Sequence, residues 1–203
     1  MLNLLLVRHG ETEWNLSQRF QGHSDVPLTN IGQQQAASIA RRLADEEIHA
    51  IYTSDLSRAW DTAMAISEFH EIDLQSELRL REGNFGQWEG MTYAEIEQSD
   101  PEAVKAWHED LLNFSPPGGE TPLQLSRRVT SFYDEIQTKH SDQTLLLVAH
   151  GGSLQILICL LLDIPIGKFW QFNLEHCSLS KISIYPEGAI INVLNDTGHL
   201  ITL

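Results

Sequence analysis

Two apolar runs in this chain end on a histidine followed by glycine. Leu4-Leu5-Leu6-Val7 stops at Arg8-His9-Gly10, and Leu145-Leu146-Leu147-Val148-Ala149 stops at His150-Gly151-Gly152. Short apolar runs closed by a glycine turn read as buried strands of a parallel sheet. In open α/β sheets, ligands bind just outside the carboxyl ends of the strands. Both imidazoles therefore stand where such a fold places its chemistry. Arg8 adds a guanidinium fork suited to an oxyanion such as phosphate, and a neutral imidazole can attack or shuttle a proton. A bare Arg-His pair is as readily a strand end as a site. Two equivalent junctions are less easily dismissed, the second running into the helical pattern Leu154, Leu157, Ile158, Leu161.

A third junction supplies another cation. Ile48-His49-Ala50-Ile51-Tyr52 reads as a short strand, and Thr53-Ser54-Asp55-Leu56-Ser57-Arg58-Ala59 opens a helix with Ser54 or Asp55 as N-cap. Arg58 then lies in the first turn, where a helix N-terminus already favours an anion. Taken alone, Arg58 would be an ordinary surface arginine. Glu82 sits in Leu80-Arg81-Glu82-Gly83-Asn84-Phe85-Gly86-Gln87-Trp88-Glu89-Gly90, and three glycines within eight residues mark a shaped loop. A carboxylate there serves as a solvated charge, a cap or a general acid.

The elements that must position these groups follow from the pattern. Strands are expected at 3–8, 49–53, about 72–75, 144–149, 178–185 and 189–195. Helices are expected at about 30–45 (beginning at Thr29 or Asn30), 55–70, 121–139 and 152–162, with a helical region at 92–112. Pro186-Glu187-Gly188 reads as a hairpin turn between the last two strands. Strands alternating with helices predict an α/β three-layer sandwich: a mostly parallel central sheet, helices on both faces and an antiparallel edge strand. No linker or repeat divides the chain, so one domain over 1–203 is expected. The region 92–118, including Ser115-Pro116-Pro117-Gly118-Gly119, is the candidate cap over the crevice.

Composition sets bounds. No stretch approaches the roughly 18 apolar residues of a membrane span, and the N-terminus enters a strand at once, without a signal peptide. A net charge of −15 argues against nucleic acid or an anionic membrane as partner. Two cysteines, Cys159 and Cys177, give no disulfide framework, which points to a reducing cytoplasm. No cluster has zinc or calcium ligand spacing. Histidines 23, 49, 70, 108, 140, 176 and 199 are scattered and read as structural or solvated. Trp107, Phe114 and Trp170 are candidates for a leaving-group pocket, with core packing the expected role for most of them.

In combination the motifs are specific. Arg8-His9-Gly10-Glu11-Thr12 with Asn15 is followed by Gln21-Gly22 and by Ser54-Asp55-Leu56-Ser57-Arg58-Ala59 with Thr62-Ala63. Glu82 with Phe85-Gly86 and Trp88-Glu89-Gly90 comes next, then Gly118-Gly119-Glu120 and His150-Gly151. From Leu4 to about Asn195 the chain resembles the histidine phosphatase superfamily, the group that contains cofactor-dependent phosphoglycerate mutase. The resemblance implies that His9 is the nucleophile that takes the phosphoryl group. It implies that Arg8, Arg58 and His150 hold the phosphoryl oxygens, with Asn15 a neutral donor and Gln21, Gly22 and Gly151 beside the phosphate. Glu82 is implied as the acid–base residue. Phosphoryl transfer spreads charge over the equatorial oxygens, so two guanidiniums and an imidazole supply the stabilisation. His9 must present an unprotonated nitrogen, with a carbonyl accepting from its other ring N–H. The implied mechanism uses no metal and no cofactor.

The family divides mainly into mutases and phosphatases. In the mutases an Arg that helps hold substrate follows the acid–base Glu; here that position is Gly83. The Phe-Gly-x-Trp-Glu-Gly pattern at 85–90 is similar to the small phosphatase branch, which includes broad-specificity phosphatases and α-ribazole phosphatase. The expectation is a phosphomonoesterase acting on a small phosphate monoester, with α-ribazole 5′-phosphate, a step of cobalamin nucleotide-loop assembly, the leading candidate. Phosphoserine remains open as substrate. A mutase is the alternative, favoured if Arg79 or Arg81 points into the pocket. A non-catalytic phosphate-binding protein is the third reading, and a homodimer is left open.

Overall fold

The apolar runs at 4–7 and 145–149 are neighbouring strands in parallel register. The computed structural model describes residues 1–200 and pairs Leu4 with Leu145 through Arg8 with Ala149. The strands are β1 (Leu2–Arg8), β2 (Ala50–Thr53), β3 (Leu74–Ser76), β4 (Thr144–Ala149), β5 (Leu179–Tyr185) and β6 (Gly188–Asp196). They form one sheet in the order β3-β2-β4-β1-β5-β6. The first four are mutually parallel; β5 runs antiparallel to β1, and β6 antiparallel to β5.

Alternation along the strands explains why they read as unbroken apolar runs. Successive side chains point to opposite faces, and both faces are covered. Leu4, Leu6, Leu145 and Leu147 pack against α6 (Pro122–Lys139) and α7 (Gly151–Leu161) through Phe132, Val129, Leu154 and Leu157. Leu5, Val7, Leu146 and Val148 pack against α2 (Asn30–Leu43) and α3 (Ser57–Ser67) through Ile39, Leu43, Ala63 and Ile66. A third, smaller cluster of Trp88, Ile96 and Val104 joins the Glu82 loop to α4 (Tyr93–Ser99) and α5 (Pro101–Glu109).

The architecture is the expected sandwich, with local corrections. One strand, β5, runs against the other five, but it lies inside the sheet against β1, and β6, paired antiparallel to it, takes the edge. The segment 92–112 breaks into two helices at Asp100-Pro101. Proline disfavours helical backbone in the residue before it, and Asp100 both ends α4 and caps α5. A four-residue helix, α1 (Glu13–Leu16), carries Asn15 and lacks an apolar periodicity to announce it. Helix α3 begins at Ser57, and neither Ser54 nor Asp55 is its N-cap. Asp55 is drawn away to Arg81, and the carboxylate of Asp25 accepts from the Ser57 N–H at 2.8 Å. Among the described residues no helix is long and apolar enough to cross a membrane. Cys159 and Cys177 are free, buried thiols.

Candidate active site

Strand order decides which junctions meet. β1 and β4 are adjacent, and the His9 N–H extends their ladder by donating to the Ala149 carbonyl at 3.0 Å. His9 and His150 thus leave neighbouring strand ends, with ring centroids 5.1 Å apart. β2 lies on the other side of β4, and the Ser54 N–H donates to the Val148 carbonyl at 3.1 Å. The first turn of α3 therefore opens beside His150. Thr62 ties these pieces together: its hydroxyl accepts from the Gly10 N–H at 3.1 Å and donates to the Arg58 carbonyl at 2.7 Å.

Each predicted residue has a defined setting, its partners and unpaired atoms counted among the described residues. His9 is buried, and its Nδ1–H donates to the Gly10 carbonyl at 2.7 Å, leaving Nε2 for chemistry. Arg8 donates through Nη1 to the Leu174 carbonyl at 2.6 Å, and its Nε has no partner. Arg58 is fully buried. Its Nη1 and Nη2 donate to the carbonyls of Ser24 and Gly22, and its Nε has no partner. Neither nitrogen of the fully buried His150 is paired. Buried polar atoms are nearly always paired in folded proteins, so this concentration of unpaired nitrogens on cations and imidazoles suits an oxyanion.

The neutral residues divide. Gln21 is buried with its Oε1 unpaired. The Asn15 Oδ1 accepts from the Thr12 N–H and hydroxyl in a capping box, which leaves its amide N–H₂ as the donor. Gly22 adopts φ +55° and offers its carbonyl to Arg58, so its direct contact is with the cation. Gly151 starts α7 between the Arg8 Nε and the Glu82 Oε2, each 3.8 Å from where a side chain would begin.

Glu82 rests on the first turn of α7. Its Oε2 accepts from the Gly152 N–H at 3.1 Å and its Oε1 from the Gly83 N–H at 2.9 Å. A Cβ at residue 152 would lie 2.5 Å from Oε1, so the second glycine of His-Gly-Gly makes room for the carboxylate. Beyond Glu82 opens a pocket of about 650 Å³, walled by Phe85, Trp107, Leu111, Phe114, Phe169 and Trp170. Trp107, Phe114 and Trp170 all line it, and the first two also take the packing role expected for most of them. Trp107 and Phe114 reach it while packing on Trp88, with ring centroids 5.5 and 5.3 Å from the Trp88 ring. Trp170 is 60% exposed at the rim.

A model of the histidine phosphatase superfamily (branch 1) matches residues 4–197. The chain belongs to that superfamily. It is 35% identical to phosphoserine phosphatase 1 of Hydrogenobacter thermophilus over 98% of this chain and 95% of that one. It is 37% identical to the probable phosphoglycerate mutase GpmB of Yersinia enterocolitica, over 98% and 95% of the two chains. The solved α-ribazole phosphatase from Shigella flexneri superposes with a TM-score of 0.90 at 32% identity, covering 96% of each chain.

In this member of the superfamily, the groups missed from sequence act through the loops. Three of the histidines read as structural or solvated belong to the site's surroundings. His176 places its ring 5.9 Å from that of His9, the His23 Nε2–H donates to the Glu82 carbonyl at 3.0 Å, and His108 lines the pocket. Glu89 accepts from the main-chain N–H of His23, Ser24 and Phe85 and from the Ser24 hydroxyl, joining the loop under Arg58 to the loop carrying Glu82. Arg128 donates to the carbonyls of Arg79, Arg81 and Glu82, each at 2.7 Å, and pairs with Glu120. Hydrogen bonds to charged groups are worth about 1.5–3 kcal/mol each. Arg128→Met is therefore expected to cost about 3 kcal/mol of stability and to lower turnover of alkyl esters by one to two orders of magnitude. Denaturant unfolding and steady-state kinetics check both, and unchanged alkyl-ester turnover would show that the clamp does not position Glu82.

Burial sets the charge state of the imidazoles. Desolvation, reinforced by Arg58 and Arg8, holds both His9 and His150 well below the usual histidine range. Burial and Arg8 bring His176 down to about 3. Burial likewise brings Arg58 down to about 10, which leaves it charged at neutral pH. The unfolded chain protonates its histidines near 6.5. Below that pH the unfolded state binds more protons than the folded one, so stability is lost as pH falls. The slope is about 1.4 kcal/mol per pH unit for each such histidine. The unfolding midpoint is expected to fall steeply between pH 7 and pH 5 and to recover partly with added orthophosphate, which binds only the folded chain. Calorimetry across that window measures it; a flat midpoint would contradict neutral buried imidazoles.

Proposed function

We propose that this histidine phosphatase is a phosphomonoesterase that works through a phosphohistidine on His9 and takes esters with a large, mostly apolar alcohol. The Nε2 of His9 attacks phosphorus and the alcohol leaves with a proton from Glu82. Water then attacks the phosphohistidine as Glu82 takes a proton back, which returns the site to its starting state. Arg8, Arg58 and His150 hold the equatorial oxygens, with Asn15 and Gln21 as neutral partners; the backbones of Gly22 and Gly151 shape the cradle.

One observation carries the reading. Glu82 stands at the boundary between the cation-and-imidazole cluster and a pocket lined mostly by aromatic and aliphatic side chains, with Asn84, His108, Glu120 and Thr121 as its other polar residues and no arginine or lysine among the described residues that line it. Phosphoserine and phosphoglycerate each bring a carboxylate that needs a cation. The nearby candidates are engaged elsewhere: Arg79 with Glu77 and Glu135, and Arg81 with Asp55. Gly83 follows Glu82 where the mutases carry an arginine. An aromatic base on a ribose matches the pocket's chemistry, so α-ribazole 5′-phosphate is the leading named substrate.

The test compares kcat/KM for phosphate release from α-ribazole 5′-phosphate, nucleoside monophosphates, phosphoserine, 3-phosphoglycerate and para-nitrophenyl phosphate. A preference of two or more orders of magnitude for an ester with an aromatic alcohol supports the pocket reading. A preference of that size for phosphoserine overturns it, and isomerisation of 3-phosphoglycerate without release makes the chain a mutase.

A further inference from the structure

We propose that His176 is a third imidazole of the phosphoryl site, donating a hydrogen bond from Nε2–H to an oxygen of the phosphoryl group. The inference rests on the phosphatase reading and adds a contact to it. Strand β5 runs antiparallel to β1 with Leu179 opposite Val7, so the turn leading into β5 lies at the very end of β1, where His9 stands. That turn is laced to the Arg8-His9 pair on both sides of His176. The Leu174 carbonyl accepts from Arg8 at 2.6 Å, and the Cys177 N–H donates to the Arg8 carbonyl at 3.0 Å. Cys177 holds φ +52°, a left-handed turn uncommon for a residue other than glycine. The backbone at residue 176 is thereby fixed relative to the nucleophile.

The ring then sits 5.9 Å from that of His9, tilted by 43°. Its Nε2 is buried and has no partner among the described residues. The same condition holds at the Arg8 Nε, the Arg58 Nε and both nitrogens of His150. A dianionic phosphoryl group offers several lone pairs on each of its oxygens, enough to engage one N–H from every one of these side chains. His176 is half-buried, with its Nε2 out of solvent, and burial together with Arg8 keeps it uncharged at neutral pH. It therefore contributes a dipole and a donor without adding a third full cation to a site that already holds two guanidiniums. A water-excluded donor fixed in advance is the arrangement that stabilises charge developing in a transition state.

Orthophosphate and orthovanadate binding, measured by calorimetry on folded protein, tests the contact apart from turnover. His176→Phe keeps a ring against His9 and removes the donor; His176→Gln brings an amide N–H toward the position of Nε2. Phe is expected to weaken both anions about 10- to 100-fold, the range for hydrogen bonds to charged groups, and Gln to restore most of the loss. Binding by the Phe variant within twofold of wild type would overturn the proposal. If the Phe variant fails to fold, His176→Ala with added imidazole replaces it: rescue of anion binding supports the contact, and a wild-type affinity without imidazole overturns it. A wild-type chain that binds orthophosphate yet releases none from any ester would sink the phosphatase reading and leave this contact standing.

Discussion

His9→Ala is expected to lose turnover of every ester by more than about 10⁴-fold while still binding orthophosphate, as removal of a covalent nucleophile does. The geometry separates the two effects. The imidazole's one internal bond goes to the Gly10 carbonyl, Arg8 and Arg58 are held by the carbonyls of Leu174, Ser24 and Gly22, and His150 is placed by the end of its own strand β4. The anion cradle therefore survives the substitution. Phosphohistidine is labile in acid and stable in base, so rapid quenching of wild-type enzyme with a labelled ester into base should trap label that the variant does not retain. Activity within tenfold of wild type would overturn the covalent route.

Glu82→Gln is expected to slow alkyl phosphates by about 10²- to 10⁴-fold, the usual worth of general acid catalysis. Para-nitrophenyl phosphate should fall by less than about tenfold, because its leaving group hardly needs a proton. The substitution disturbs the site little, since the carboxamide oxygen can keep one of the two N–H groups, from Gly83 and Gly152, that hold the carboxylate. Equal losses on both esters would mean that Glu82 positions the phosphate rather than donating to the alcohol.

The parts of the site that the sequence announces share one physical origin. Strands buried on both faces must be apolar throughout, so the residue at which the run stops is conspicuous, and His9 and His150 stood out for that reason. Arg58 was legible through its place in the first turn of a helix, although the cap that starts that helix comes from Asp25, 32 residues away. His176 was not legible. Nothing local marks it, and it reaches His9 only because β5 folds back beside β1 instead of forming the sheet's edge. Arg128 and Glu89 were hidden for the same reason, since their partners are loop carbonyls and N–H groups distant in sequence. The aromatic residues of the pocket were ambiguous in principle: Trp107 and Phe114 pack on Trp88 and line a cavity at once.

The small cluster of Trp88, Ile96 and Val104 is separate from the two cores that sandwich the sheet. Phe85, Trp107 and Phe114, attached to it, form one wall of the proposed alcohol pocket, whose other wall includes Leu125 and Phe169 of a larger core, while the imidazoles and guanidiniums hang from strand ends and helix starts anchored in the larger cores. One wall of the pocket is thus built apart from the core that carries the reactive groups. Substitutions such as Leu111 or Trp107 to other sizes can retune which ester is accepted while the transfer machinery stays intact. A lineage built this way can explore new metabolites by drift in one wall, and a designer seeking a different substrate would randomise that wall first.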